Sequence, residues 1–134
     1  MADEAWSRAM INDVLARYAD GVNRRDAALW ASTWHADAEW LLFDPEPTVG
    51  RDAIVAKWSR EIAEYPRAMM FVTQGQVVLD GDRATGKSYN IEVGGTKDGR
   101  NIRMYSSYDD IYALRDGVWA FVSRRFTLHH MEEY

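Results

Sequence analysis

The chain has 134 residues, with 16 Lys and Arg against 21 Asp and Glu for a formal charge of −5, and 47% of it is hydrophobic, including 6 Trp, 7 Tyr and 4 Phe. That composition is too apolar for a disordered segment, and the length suits one domain that buries roughly two thirds of its unfolded surface. The acidic balance without a Lys/Arg cluster speaks against nucleic acid as a partner, and the absence of cysteine excludes disulfides, thiolate zinc, iron–sulfur clusters and a cysteine nucleophile.

The N-terminus carries Asp3 and Glu4 where a secretory signal has positive charge, and no apolar run approaches the ~18 residues of a membrane span. A cytoplasmic protein without a membrane partner is the expectation. From Asp3 to about Asn23, Trp6, Met10, Ile11, Val14, Leu15, Tyr18 and Val22 recur at intervals of three and four, the stripe of a long amphipathic helix. Asp26 can cap a second helix through Ala27, Leu29, Trp30 and Trp34, after which Asp37 opens a strand-like run from Glu39 to Phe43 that Asp44-Pro45-Glu46-Pro47 stops. Gly50 to Glu64 reads as a third helix with Ile54, Val55, Trp58 and Ile62 inward, and Pro66 prevents its continuation.

The second half changes period. Asp80-Gly81, the stretch Gly94 to Gly99 and Asp116-Gly117 are hairpin turn chemistry between four long strands, Met70–Asp80, Arg83–Val93, Ile102–Leu114 and Val118–Leu128. Helices followed by an antiparallel meander predict a single α+β domain over 1–134: a cone-shaped curved antiparallel sheet wrapped around three N-terminal helices, with a pocket at the open end. Alternation puts Ala84, Gly86, Ser88, Asn90 and Glu92 on one face of the second meander strand, and Met104, Ser106, Tyr108, Asp110 and Tyr112 on one face of the third. The adjacent pair His129-His130 points to opposite faces of a strand and lacks a third ligand, so no metal is expected.

Five stretches in order, Ser7-Arg8-Ala9 through Gly21-Val22-Asn23-Arg24-Arg25, Trp34 to Trp40, Gly50-Arg51-Asp52-Ala53-Ile54, Asp80-Gly81-Asp82-Arg83-Ala84, and Tyr108 through Asp116-Gly117, Trp119 and Arg124, resemble the SnoaL-like branch of the nuclear-transport-factor-2-like superfamily. The resemblance covers nearly the whole chain and brings to mind hexachlorocyclohexane dehydrochlorinase, scytalone dehydratase and bile acid dehydratase. It implies cofactor-free acid–base chemistry in the cone, often from an Asp at the end of the first helix that polarises a His on the first meander strand. It also implies a homo-oligomer, a trimer or dimer, through the outer sheet face. Here the two dyad positions hold Asn23 and Met70, neither of which can abstract a proton.

Glu92 falls where the bile acid dehydratase pattern carries an acid, and a carboxyl in an apolar cone would titrate near neutrality, as a general acid or base requires. A shift of one residue in the pleat would instead leave it in solvent. Tyr18, on the same helix as Asn23, could donate to a substrate oxygen, and Asn23 could orient a carbonyl or water. Trp40, Met70, Asn90, Tyr108 and Arg124 are the expected substrate contacts, with Arg124 either neutralising Glu92 or binding an acidic group of the substrate. Asp110 is as ready to pair structurally as to act. The expectation is a cofactor-independent dehydratase, isomerase or cyclase acting on a small hydrophobic, cyclic or aromatic molecule. The alternative is a non-catalytic ligand-binding or accessory protein that has lost the dyad.

Overall fold

A computed structural model describes residues 3–134. The Asp3 carboxylate starts α1 (Glu4–Arg24) by accepting from Ala5 N–H at 2.6 Å and Trp6 N–H at 3.3 Å, donors that a first turn leaves unpaired. Ile11, Val14, Leu15, Tyr18 and Val22 form its buried stripe. Gly21 lets the next helix cross closely, because a Cβ there would stand 2.7 Å from Trp30 Cβ and 2.9 Å from the Trp30 backbone.

Asp26 caps α2 (Ala27–Ala31) through Leu29 N–H at 3.0 Å, but this helix is shorter than its sequence suggests. Trp34 opens β1 (Trp34–Leu41) instead, so that strand starts earlier than expected and stops before Phe43. Trp30 and Trp34 are both fully buried at a helical spacing, and periodicity alone favours extending the helix. Tertiary pairing decides otherwise: Phe121 N–H donates to the Thr33 carbonyl at 2.8 Å and Trp34 registers with Phe121 across the sheet. After β2 (Thr48–Val49), α3 (Arg51–Ala63) ends ahead of Pro66.

The four meander strands follow as β3 (Arg67–Asp80), β4 (Arg83–Gly95), β5 (Asn101–Arg115) and β6 (Val118–Glu133), each reaching further than expected at one end or both. The six strands form one open sheet in the order β2-β1-β6-β5-β4-β3. Every pair is antiparallel except β1 with β6, a parallel addition that the sequence reading did not foresee. Irregularities between Gln74 and Val77, at Tyr105/Ser106 and at Ile111/Tyr112 bend the sheet into a trough. Helix α1 packs against β3 and β6, and α3 against β1 and β2. The core between them is aromatic, with Trp30 stacked on Trp58 at 4.6 Å and 12° and Tyr18 edge-on to Phe121 at 5.9 Å. The inner rows follow the alternation: Ser88 pairs with Tyr108, Asn90 with Ser106 and Glu92 with Met104.

Candidate functional site

At the open end of the trough, α1, α3 and strands β1, β3, β4, β5 and β6 enclose a cavity of about 270 Å³. Five of the expected site residues meet on its wall: Tyr18, Trp40, Met70, Glu92 and Tyr108. Sequence reasoning did not assign Trp58, Ile62 and Met104 to the site, although their inward faces were legible. Phe43, Leu128 and Met131 also line it, Met131 because β6 runs past its expected end at Leu128 to Glu133.

Glu92 keeps part of its surface accessible on a cavity wall that is mostly apolar and also carries Glu61 and the phenols of Tyr18 and Tyr108. No cation or hydrogen-bond donor among the described residues pairs with it. Burial therefore acts unopposed and pushes its pKa from 4.5 to about 7. Across the cavity, Trp40 Nε1–H donates to the Tyr108 hydroxyl oxygen at 3.1 Å, which leaves the Tyr108 O–H proton for another acceptor. Tyr18 lies edge-on to Tyr108, with ring centroids 6.5 Å apart. Burial raises the pKa of both phenols above the ordinary 10.0, with the Arg124 charge opposing, so both stay protonated donors.

The other three expected residues lie outside the cavity wall. Arg124 does not face Glu92. It is fully buried with Asp110, Nε to Oδ1 at 2.6 Å and Nη2 to Oδ2 at 3.1 Å, and Nη2 also donates to Ser88 Oγ at 2.8 Å. Its guanidinium lies 3.7 Å from the Tyr108 ring centroid and 4.5 Å from that of Tyr18, beneath the two phenols. In-register pairing of Asp110 with Arg124 across β5 and β6 explains the choice of partner, since Glu92 sits three inward rows further along the sheet. Asn90 points inward but is sealed beneath the Glu92 row, 4% exposed and beside Ser106. Asn23 spends its amide on the backbone of β3: Oδ1 accepts from Met70 N–H at 2.7 Å and Nδ2 donates to the Met70 carbonyl at 2.9 Å. Positions 23 and 70 are thus side by side, but Asn23 serves as a structural clamp and does not line the cavity.

The SnoaL-like family model matches residues 3–125. The chain belongs to the SnoaL-like domain family. No curated protein matches its sequence. Among solved structures, this SnoaL-like chain is similar to hexachlorocyclohexane dehydrochlorinase LinA type 3 from Novosphingobium barchaimii, with a TM-score of 0.88, 22% identity and coverage of 97% of this chain and 91% of that one. A scytalone dehydratase-like protein from Novosphingobium aromaticivorans superposes with a TM-score of 0.88 at 16% identity over 97% and 89% of the two chains. A protein of unknown function from Mycobacterium tuberculosis, solved with an Asp-to-Asn substitution, matches with a TM-score of 0.81 at 25% identity over 95% and 79%. These likenesses establish a SnoaL-like, cystatin-type α+β fold. No helix among the described residues is long and apolar enough to cross a membrane.

Proposed function

We propose that this SnoaL-like protein is a cofactor-independent lyase or isomerase that moves a proton on a small hydrophobic molecule held in the cavity, with Glu92 as the proton carrier. The observation that carries the reading is an unpaired carboxyl in an apolar cavity with its pKa near 7. Both protonation states of such a group coexist at neutral pH. As carboxylate, Glu92 takes a proton from a carbon beside an electron-withdrawing group. The resulting carboxylic acid returns that proton to the departing hydroxyl in a dehydration, or to a second carbon in an isomerisation. Tyr108, whose oxygen already accepts from Trp40, donates its own hydrogen to the substrate oxygen on which charge develops, and Tyr18 can act beside it. Trp40, Trp58 and Met70 supply apolar walls that exclude water.

The test is Glu92→Gln assayed over a panel of small cyclic hydroxy and oxo compounds. Loss of turnover with ligand affinity retained supports the reading, and unchanged turnover of an identified substrate sinks it. Binding without turnover in both proteins would establish the alternative, a ligand-binding protein without chemistry. One observation favours that alternative: Asn23 and Met70 occupy the dyad positions, with the Asn23 amide bonded to the Met70 backbone. The self-association implied by the family resemblance would use the outer face of β3 and β4. There Phe71 registers with Ile91 and both remain exposed, flanked by Met69 and Tyr89.

A further inference from the structure

The charged side chains of the cavity wall are of one sign. Glu61 and Glu92 line it, and no Lys, Arg or His does. Glu61 is exposed on the last turn of α3, whereas Glu92 is half-buried on β4. Glu64, three residues beyond Glu61, pairs with Lys97, but no cation among the described residues pairs with Glu61 or Glu92. Two carboxyls without a countercharge thus share one enclosed space.

Seven of the lining side chains are aromatic. Phe43, Phe126 and Tyr108 follow one another edge-on, with centroids 5.1 and 5.3 Å apart and ring planes at 71° and 65°, so successive faces stand at steep angles like the walls of a cage. An aromatic face is the negative side of the ring quadrupole and attracts a cation. Behind the wall Arg124 already uses this attraction, with its guanidinium 3.7 Å from the Tyr108 centroid and 4.5 Å from that of Tyr18. Asp110 matches the Arg124 charge there, so Arg124 leaves the two cavity carboxyls uncompensated. Trp40, Phe43, Tyr65 and Phe126 have no side-chain cation over their rings among the described residues.

We propose that the cavity takes a small organic cation, an N-alkylated ammonium on a hydrocarbon body, with Glu61 and Glu92 as its countercharge and the aromatic walls against its N-alkyl groups. This rests on the reading of the cavity as the substrate site and narrows its substrate class. Alkylation follows from the wall chemistry. A primary ammonium brings three N–H donors into a space with few acceptors, whereas N-alkyl groups bury as hydrocarbon and present their positive charge to the rings. An anion of the same shape would meet two carboxyls and no partner. A cation beside Glu92 also favours its carboxylate form, the form that accepts a substrate proton.

The experiment compares three ligands of one shape: choline, its uncharged carbon isostere 3,3-dimethylbutan-1-ol, and the anion 3,3-dimethylbutanoate. Binding is followed by the indole N–H resonances of Trp40 and Trp58, both of which line the cavity. At about pH 8 choline is expected to bind about tenfold more tightly than the alcohol, and the anion more weakly than the alcohol. Choline keeps its charge at every pH, so any pH dependence of its preference belongs to the protein. The titratable groups that share the cavity with Glu92 are Glu61 and Tyr65 from α3, Tyr18 from α1 and Tyr108 from β5. Tyr18 and Tyr108 stay protonated. The preference should therefore shrink on going to about pH 5.5, as Glu92 takes up its proton near pH 7. Glu61→Gln combined with Glu92→Gln should bring choline and the alcohol to within about twofold of each other. Where the alcohol binds, three results overturn the proposal and leave the cavity reading standing: no preference for choline, a preference equal at both pH values, or a preference that survives the double substitution. If none of the three ligands moves the two indole resonances, the cavity reading falls and this proposal falls with it.

Discussion

Glu92 offers the sharpest physical test, because a carboxyl raised to about 7 must leave a mark on stability. Between 4.5, its ordinary value, and about 7, the unfolded chain has released this proton while the folded protein retains it. Folding therefore binds a proton in that window, and stability falls as pH rises through it. Below the window both states are protonated and the group contributes nothing; above it the loss is complete. At ~1.4 kcal/mol per pH unit the gap corresponds to about 3 kcal/mol of folding stability lost between pH 4 and pH 8. Other carboxylates and histidines titrate over the same range, so the quantity to measure is the difference between the unmodified protein and Glu92→Gln. Urea unfolding of both at half-unit steps from pH 4 to pH 8 isolates it, provided the transitions remain two-state with equal slopes. The variant should gain on the unmodified protein by about 3 kcal/mol across that range, with most of the change between pH 5 and pH 7. A stability difference that stays flat with pH would refute the reasoning, because it would mean the carboxyl is hydrated or paired in the folded protein.

Other parts of the molecule give equally direct expectations. Asp110→Ala leaves Arg124 charged and fully buried without its partner, and should cost about 3–5 kcal/mol in urea unfolding; replacing both residues by apolar ones, Asp110→Leu with Arg124→Met, should cost less than the single change. Asn23→Asp restores the acid of the family dyad in name only. The carboxylate can accept from Met70 N–H but would also face the Met70 carbonyl, so the melting temperature should fall and turnover should not rise. Phe71→Glu with Ile91→Glu places charges on the exposed apolar face of β3 and β4, and should convert any oligomer seen by analytical ultracentrifugation to monomer with unchanged circular dichroism.

What the sequence disclosed follows the range of the interactions involved. The α1 stripe, the Asp26 cap and the hairpin glycines are local, and the structure carries each of them. The inward row of Ser88, Asn90 and Glu92 was legible because a strand alternates strictly and the turns fixed its register. The parallel pairing of β1 with β6 joins residues some ninety apart, and nothing near Trp34 announces it. The same limit hid the partner of Arg124. Its charge was visible, but only the register of β5 on β6 reveals that Asp110 meets it and Glu92 does not. Asn23 was legible as a departure from the family pattern, whereas its clamp on Met70 depends on how α1 lies against β3.

The residue at position 70 also explains why Glu92 can titrate near neutrality. An Asp–His dyad at the cavity edge would place an imidazole, able to carry positive charge, on β3 next to Glu92, since Met70 registers directly with Glu92 across β3 and β4. An imidazolium there would lower the pKa of the carboxyl and turn it into an ion-pair partner. Methionine supplies apolar bulk and no charge, so burial acts on Glu92 without compensation. The neutral Met70 and the neutral-range carboxyl of Glu92 are thus one electrostatic arrangement on two neighbouring strands. Met70→His should accordingly pull the Glu92 titration back toward 4.5, by an amount that shrinks as the introduced imidazole loses its proton at higher pH.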